Sequence, residues 1–185
     1  MDLTEKKLES NIIFEGKILT LRRDTVLLPN GKTAGREIVD HNGGVCIAPV
    51  TDKGELIFVR QFRYAYEEEL LELPAGKLEK GEDPFEAGKR ELEEETGTVA
   101  AEYFDLGKFY PTPGYCGEVI HLYAACGLTK TNMHLDEDEF LEPLKIPLEK
   151  ALEMVMTNEI NDGKTQALIF KVNELVKRGK IKWTE

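Results

Sequence analysis

The chain has 185 residues, with 35 Asp plus Glu against 24 Lys plus Arg and a formal net charge of -11. That length suits one compact domain, and the acidic balance excludes broad affinity for nucleic-acid backbones, which demand Lys and Arg. Three cysteines, Cys46, Cys116 and Cys126, share no metal-like spacing and suggest no disulfide framework, so a reducing, cytoplasmic compartment is expected. No run approaches the roughly 20 apolar residues of a membrane span, and residues 1–30 lack an apolar core followed by a cleavage pattern, so neither membrane spanning nor export is expected.

In chain order, Ile12-Ile13-Phe14 leads through Gly16 into a run from Ile18 to Leu28 with strand composition. Pro29-Asn30-Gly31-Lys32 then reads as a turn into a second strand at about Thr33 to Asp40. Such a hairpin has little core of its own and must pack on the main domain or on another subunit. Residues 1–41 are therefore expected to be a strand-rich appendage, and residues 42–185 the main domain. The latter opens with Gly43-Gly44 and the apolar run Val45 to Val50, turns through Asp52-Lys53-Gly54-Glu55, and resumes as a strand from Leu56 to Phe62. Further on, strands are expected near 103–109 and 117–126, and helices at 148–156 and 164–177. A mixed sheet covered by helices on both faces accounts for this order.

Between these parts, Gly76 to Gly97 reads GKLEKGEDPFEAGKRELEEETG. Asp83 can cap the first amides of a helix, Pro84 suits the first helical position, and Glu86 completes a capping-box-like spacing. Gly97 can take the left-handed conformation that ends it. Phe85, Gly88, Leu92 and part of Ala87 are expected to face the body of the protein, leaving Glu91, Glu94 and Glu95 on the more open side. Arg90 can bridge a carboxylate or the preceding loop with its planar fork. Like charges three and four residues apart repel. A hard divalent cation, held by one or two carboxylates plus water and substrate phosphates, turns that crowding into a binding surface. The plain alternative is a solvated acidic face, which charge alone favours.

The ordered context resembles the signature of the Nudix hydrolases, Gly-x5-Glu-x7-Arg-Glu-aliphatic-x-Glu-Glu-x-Gly-aliphatic. Gly76, Glu82, Arg90, Glu91, Leu92, Glu94, Glu95 and Gly97 match, and Thr98 replaces the final aliphatic residue with Val99 behind it. The resemblance implies an α/β/α sandwich with a mixed sheet from about Asn42 onward, plus a small N-terminal β-hairpin or antiparallel sheet region. It implies that Glu91 and Glu95 are the principal metal ligands, that Glu94 completes the cluster and belongs among the catalytic candidates, and that the Ala75 carbonyl adds an oxygen. Gly76, Glu82, Arg90 and Gly97 would support the motif's shape. The cofactor implied is Mg²⁺, with Mn²⁺ as a substitute, at two or more ions per site, neutralising a diphosphate and activating water.

Outside the motif, Phe14-Glu15-Gly16-Lys17, Arg22-Arg23-Asp24-Thr25-Val26 and Pro29-Asn30-Gly31 resemble the start of ADP-sugar pyrophosphatases. Pro113, sixteen residues after Gly97, resembles the marker of the ADP-ribose pyrophosphatase subgroup, in a loop that two prolines preset and where Gly114 permits a sharp turn. Arg36, Arg60 and Arg63 are the cations best placed to meet phosphate or ribose oxygens; the alternative for each is an ion pair with the Glu67-Glu68-Glu69 run. By the resemblance, Glu118 starts a strand and reaches the terminal ribose, and Phe14 ranks before Tyr64, Tyr66 and Tyr115 as a wall for adenine. A general base is expected in the run His134 to Glu139, at Glu137 or Glu139.

The expected activity is Mg²⁺-dependent hydrolysis of ADP-ribose to AMP and ribose 5-phosphate, by a homodimer in which residues 1–41 help to complete or brace the partner's site. The alternatives are a pyrophosphohydrolase of another ADP-sugar, dinucleotide or nucleoside triphosphate, and a non-catalytic nucleotide-binding module. No nucleic acid or membrane is expected as a partner.

Overall fold

The structure, a computed structural model, describes residues 1–135 and 139–183. It divides into one unit of Met1–Gly43 with Tyr110–Val119 and a second of Gly44–Phe109 with Ile120–Glu185.

The first unit holds three antiparallel strands, β1 (Lys6–Glu15), β2 (Leu19–Leu27) and β3 (Thr33–His41), in the order β1-β2-β3. The β2–β3 hairpin follows from its turn. Gly31 sits at φ 81°, its N–H donates to Leu28 O, and Leu28 N–H donates to Lys32 O. The strand β1 goes beyond the expected hairpin, because Lys7 to Asn11 is polar and carries no apolar alternation. Pairing with β2 makes it a strand: Ser10 stands opposite Asp24, and its Oγ donates to Asp24 Oδ1 at 2.6 Å. All ten of its residues are exposed. Tyr110–Val119 contributes an extended segment to the edge of β3, where Val39 N donates to Tyr115 O and Gly117 N to Val39 O, both at 2.8 Å.

In the second unit, β4 (Gly44–Pro49), β7 (Ala75–Lys77), β8 (Thr98–Phe109) and β9 (Ile120–Lys130) form a sheet of order β7-β4-β9-β8. There β4 and β9 run parallel and the other neighbours antiparallel. A second sheet has the order β10-β5-β6, from β5 (Glu55–Arg63), β6 (Glu68–Glu72) and β10 (Leu141–Pro147). The helices are α1 (Pro84–Thr96), α2 (Leu148–Met156) and α3 (Gly163–Lys177).

Every residue of β4 is buried, and the two-residue period of a strand assigns each side chain to a layer. Val45 and Ile47 join Ala87 and Leu92 of α1 with Tyr123 and Ala125 of β9. Cys46 and Ala48 point the other way, into a larger core with Leu56, Phe58, Leu122 and Ala124 and with Leu168, Ile169 and Val172 of α3. The result is the expected sandwich of a mixed sheet between helices. Phe58 is fully buried, so its truncation to Ala should cost about 3–5 kcal/mol. The strands β6 and β10 were not legible in the sequence. Pro143 and Pro147 mask β10, which tolerates them because it is an edge strand paired only with β5. Among the described residues no helix is long and apolar enough to cross a membrane.

Candidate active site

Helix α1 begins and ends as its sequence dictates. Asp83 Oδ1 accepts from Phe85 N at 3.0 Å and Glu86 N at 3.2 Å, Pro84 occupies the first turn, and Gly97 closes the helix at φ 59° with its N–H on Glu93 O. Glu86 does not close a capping box; both its oxygens accept from Lys89 Nζ. The next segment docks on the helix end, with Thr131 N donating to Gly97 O and His134 N to Glu94 O. A side chain at Gly97 would strike Met133 N, so the glycine serves both the turn and this close approach.

The expected orientation of the carboxylates is corrected by burial. Glu91 and Glu95 are 7% and 1% exposed and lie on the packed face of α1 with Ala87, Gly88 and Leu92, while Phe85, partly exposed, packs its ring edge-on against Tyr103 and Tyr123 as expected. They face the β7 backbone. Ala75 N donates to Glu95 Oε2 at 3.1 Å, and a Cβ on Gly76 would fall inside the Glu91 carboxylate. Gly76 is thus required by close approach, as is Gly44 across the β4–β7 pair, where a Cβ would lie 2.7 Å from Gly76 O.

Arg90 holds the other side of this ridge. Its Nε and Nη2 donate to Glu82 at 3.0 and 3.2 Å, and its Nη1 to Glu91 Oε1 and Glu94 Oε2, each at 2.8 Å. Glu82 Oε2 also accepts from Glu79 N at 2.9 Å, so the loop before the helix is tied to the same guanidinium. Arg90 thus holds both Glu91 and Glu94, and among the described residues no three His, Cys, Asp or Glu side chains converge as a finished metal cage.

Burial dominates the electrostatics. It pushes the Glu91 carboxyl up to about 7 against the opposing Arg90 charge. It raises Glu95 well above the carboxylate range, with the Glu91 charge adding to the effect. The charge of Glu139 acts in the same direction on both, which brings Glu139 into this electrostatic neighbourhood. Glu95 Oε1 is buried without a hydrogen-bond partner among the described residues. An orphaned buried oxygen, two carboxyls destabilised by their own burial, and hard oxygen donors beside the half-buried backbone of β7 are the conditions that a divalent cation relieves. The residues present fit one: Glu91, Glu95 and the Ala75 carbonyl would hold it, and Glu94 could join once freed from Arg90.

Among the described residues the Arg63 side chain makes no ion pair with the Glu67-Glu68-Glu69 run, although its backbone pairs with Glu68. Its Nε and Nη2 donate to Glu72 at 2.5 and 2.7 Å. Glu72 also accepts from Lys164 Nζ at 2.5 Å, and Lys164 in turn lies 3.0 Å from Asp162. Arg60 lies 3.7 Å from Glu142 across the β5–β10 pair, at the surface. Glu137 lies outside the described residues.

The remaining expected substrate contacts fall in the first unit. Phe14 is 57% exposed on β1, its ring folded toward Gly16. Arg36 donates through Nε to Glu5 Oε2 at 2.9 Å and through Nη2 to Oε1. It lines an open groove of roughly 310 Å³ with Arg23, Gly35, Glu37 and Gly114. Pro113 is exposed in a turn, but Gly114 is not in the left-handed region and a Cβ there would meet nothing. The loop owes its shape to backbone bonds such as Cys116 N to Thr112 O, not to glycine freedom. Glu118 does not start a strand, since β9 begins at Ile120; its Oε1 lies 3.5 Å from His41 Nδ1.

Comparison with known families decides the assignment. A model of the NUDIX domain matches residues 40–168, and one of the nucleoside diphosphate sugar hydrolase N-terminal domain matches residues 5–39. The chain belongs to the NUDIX family. It is 46% identical to the ADP-ribose pyrophosphatase of Bacillus subtilis (strain 168) over 88% of this chain and 89% of that one. It is 44% identical to the methanol dehydrogenase activator of Bacillus methanolicus over 87% and 88%. A crystal structure of an ADP compounds hydrolase matches with a TM-score of 0.86 at 25% identity, over 98% of this chain and all of that one.

Within the NUDIX unit, Thr98 is explained by its neighbour. Its hydroxyl bonds that of Thr96 at 2.6 Å, and Thr96 donates to Leu92 O, so the polar substitution is satisfied at the helix end. Glu72 and Lys164 are the site-flanking residues that sequence reasoning missed. The signal was faint: a glutamate inside the otherwise apolar Leu70 to Pro74 segment, and a lysine beside the Asp162 helix cap.

Proposed function

We propose that this NUDIX protein hydrolyses the diphosphate of ADP-ribose, giving AMP and ribose 5-phosphate, with Mg²⁺ as the resident cation and Mn²⁺ able to replace it. The observation that carries the reading is the fit of β7 to Glu91 and Glu95: two carboxylates buried against a strand backbone, one bonded by Ala75 N and the other packed where only a glycine leaves room. Supporting the substrate class are the match of residues 5–39 to a nucleoside diphosphate sugar hydrolase N-terminal domain and the relative named for ADP-ribose.

Bound cations supply charge neutralisation of the diphosphate and a lowered pKa for attacking water. The chain's own residues do the rest. Glu91 and Glu95, with the Ala75 carbonyl, provide hard oxygen donors. Arg90, fixed by Glu82, sets the helix against its loop. Glu139 accepts the proton of the attacking water, supported by its charge acting on both Glu91 and Glu95. Arg63 presents the part of its fork that Glu72 leaves open to a phosphate or ribose oxygen. Phe14, Arg36, Pro113 and Glu118 belong to substrate recognition in this reading, and Arg60 is a weaker contributor because Glu142 competes for it.

The active species is a homodimer. Ile12, Ile13, Phe14 and Ile18 are all more than half exposed on residues 1–41, an apolar surface that a second copy would cover. Free Cys46, Cys116 and Cys126 support a reducing, cytoplasmic setting. The test is turnover of ADP-ribose, ADP-glucose, NADH, diadenosine polyphosphates and 8-oxo-dGTP with and without Mg²⁺. Divalent-dependent hydrolysis favouring ADP-ribose is expected. Preference for another member of the panel overturns the substrate, and no turnover on any leaves the binding-module reading.

A further inference from the structure

Glu72 is 1% exposed yet carries a full ionic shell. Arg63 grips it through Nε and Nη2, and Lys164 Nζ, from α3, reaches its Oε2 at 2.5 Å across 92 residues of sequence. Lys164 also touches Asp162 at 3.0 Å, so two carboxylates and two cations balance in one place. Asp162 is in turn immobilised as the cap of α3, accepting from Thr165 N at 2.9 Å, while Thr165 Oγ1 accepts from Leu73 N at 2.9 Å. Burial acts to raise the Glu72 carboxyl, but its hydrogen bonds and the neighbouring charges of Arg63 and Lys164 hold it below its ordinary range. It therefore stays an anion with fixed position.

What the network acts on is Arg63. That side chain remains 39% exposed, its Nη1 edge is not taken up by Glu72, and its charge is felt at Glu95. A bidentate grip fixes the plane of a guanidinium as well as its position. A carboxylate swinging free on its own side chain could not do so; Lys164 prevents the swing by holding the same oxygen from the opposite element. We propose that Glu72 and Lys164 form a buried positioning pair that aims the Arg63 fork for the diphosphate-linked substrate. This rests on the pyrophosphatase reading above.

The experiment is a double-mutant cycle in the full-length protein with Mg²⁺, using Lys164→Met, Arg63→Ala and the double variant, after the wild type has been assayed on the substrate panel. Each single variant should raise KM for the best wild-type substrate by about 10-fold or more, the scale of lost outer-shell support. The double variant should be no worse than Arg63→Ala, because Lys164 acts through Arg63. Additive losses, or a lowered melting temperature with KM unchanged, would show a purely structural ion pair and overturn the proposal. A readout independent of turnover is the Arg63 Nε–H NMR signal, expected to exchange slowly in the wild type and fast in Lys164→Met; equal protection in both overturns the proposal. Should Lys164→Met not fold, the near-isosteric Glu72→Gln replaces it in both measurements. Failure of the pyrophosphatase reading appears separately, as a wild type inactive on every substrate while the NMR result stands.

Discussion

The N-terminal sheet and the NUDIX unit distribute the same side-chain types in opposite ways. In β1–β3, large apolar residues such as Ile12 and Phe14 stay in solvent, and many charges are paired at the surface, as in Arg36 with Glu5 and Arg22 with Asp40. In the NUDIX unit, apolar residues fill two cores, and the burial they create is imposed on Glu72, Glu91 and Glu95. In the single layer β1–β3 Asp24 and Val26 are the buried residues, and Ile12 and Phe14 stay exposed. A sandwich has burial to spare, and burial is what shifts a carboxylate's chemistry.

The sharpest break in that contrast comes from the helix carboxylates. Glu91→Gln and Glu95→Gln should each lower Mg²⁺-dependent turnover by more than about 100-fold, since outer-shell partners alone cost about 10–100-fold. Both should fold, with metal-free melting equal to or above the wild type because a buried negative charge is removed. Near-normal turnover with unchanged metal dependence would sink the assignment. Glu139→Gln should cost about 10²-fold or more near neutral pH with substrate affinity retained; no rate defect would move the base elsewhere.

Glycine substitutions compare the two units directly. Gly76→Ala forces a methyl group into the Glu91 carboxylate and should destabilise by about 1–3 kcal/mol while abolishing metal dependence. Gly35→Ala in β3 meets nothing and should change stability by less than about 0.5 kcal/mol. Equal melting temperatures for the two variants would refute the close approach at β7.

A further effect concerns pH. The Glu91 carboxyl is raised from 4.5 to about 7 on folding, so within that window the folded state binds more protons than the unfolded state. Its contribution to stability is therefore present below about 4.5 and is lost as pH rises through about 7. The loss is on the order of 3 kcal/mol, or roughly 10 °C in melting temperature, read as the difference between wild type and Glu91→Gln without divalent cations. Mg²⁺ should reverse the slope, because a cation binds the deprotonated form. The smallest effect on folding should come from Ile12→Glu with Phe14→Glu, which should leave melting nearly unchanged while light scattering reports loss of the dimer. A dimer that persists would show that this apolar surface serves another purpose.

Local signals sufficed for the parts of the molecule that are local. Helix α1 runs from Pro84 to Thr96 because Asp83, Pro84 and Gly97 carry its start and stop in their own chemistry. Likewise Asn30-Gly31 makes the β2–β3 turn, and the apolar periodicity of α2 and α3 placed both helices within a residue. The motif's order, from Gly76 to Gly97, was enough to name the family. What the chain order could not convey was depth. Glu91 and Glu95 look solvated on a helical projection, and they are buried because β7 passes beside them, a fact of strand packing between segments. The pairing of Arg63 with Glu72 and Lys164 closes over 92 residues, and β1 and β10 are strands because of the neighbours they pair with. Long-range pairing decides burial, and burial decides which carboxylate holds a proton, which arginine is aimed and which apolar face is left uncovered.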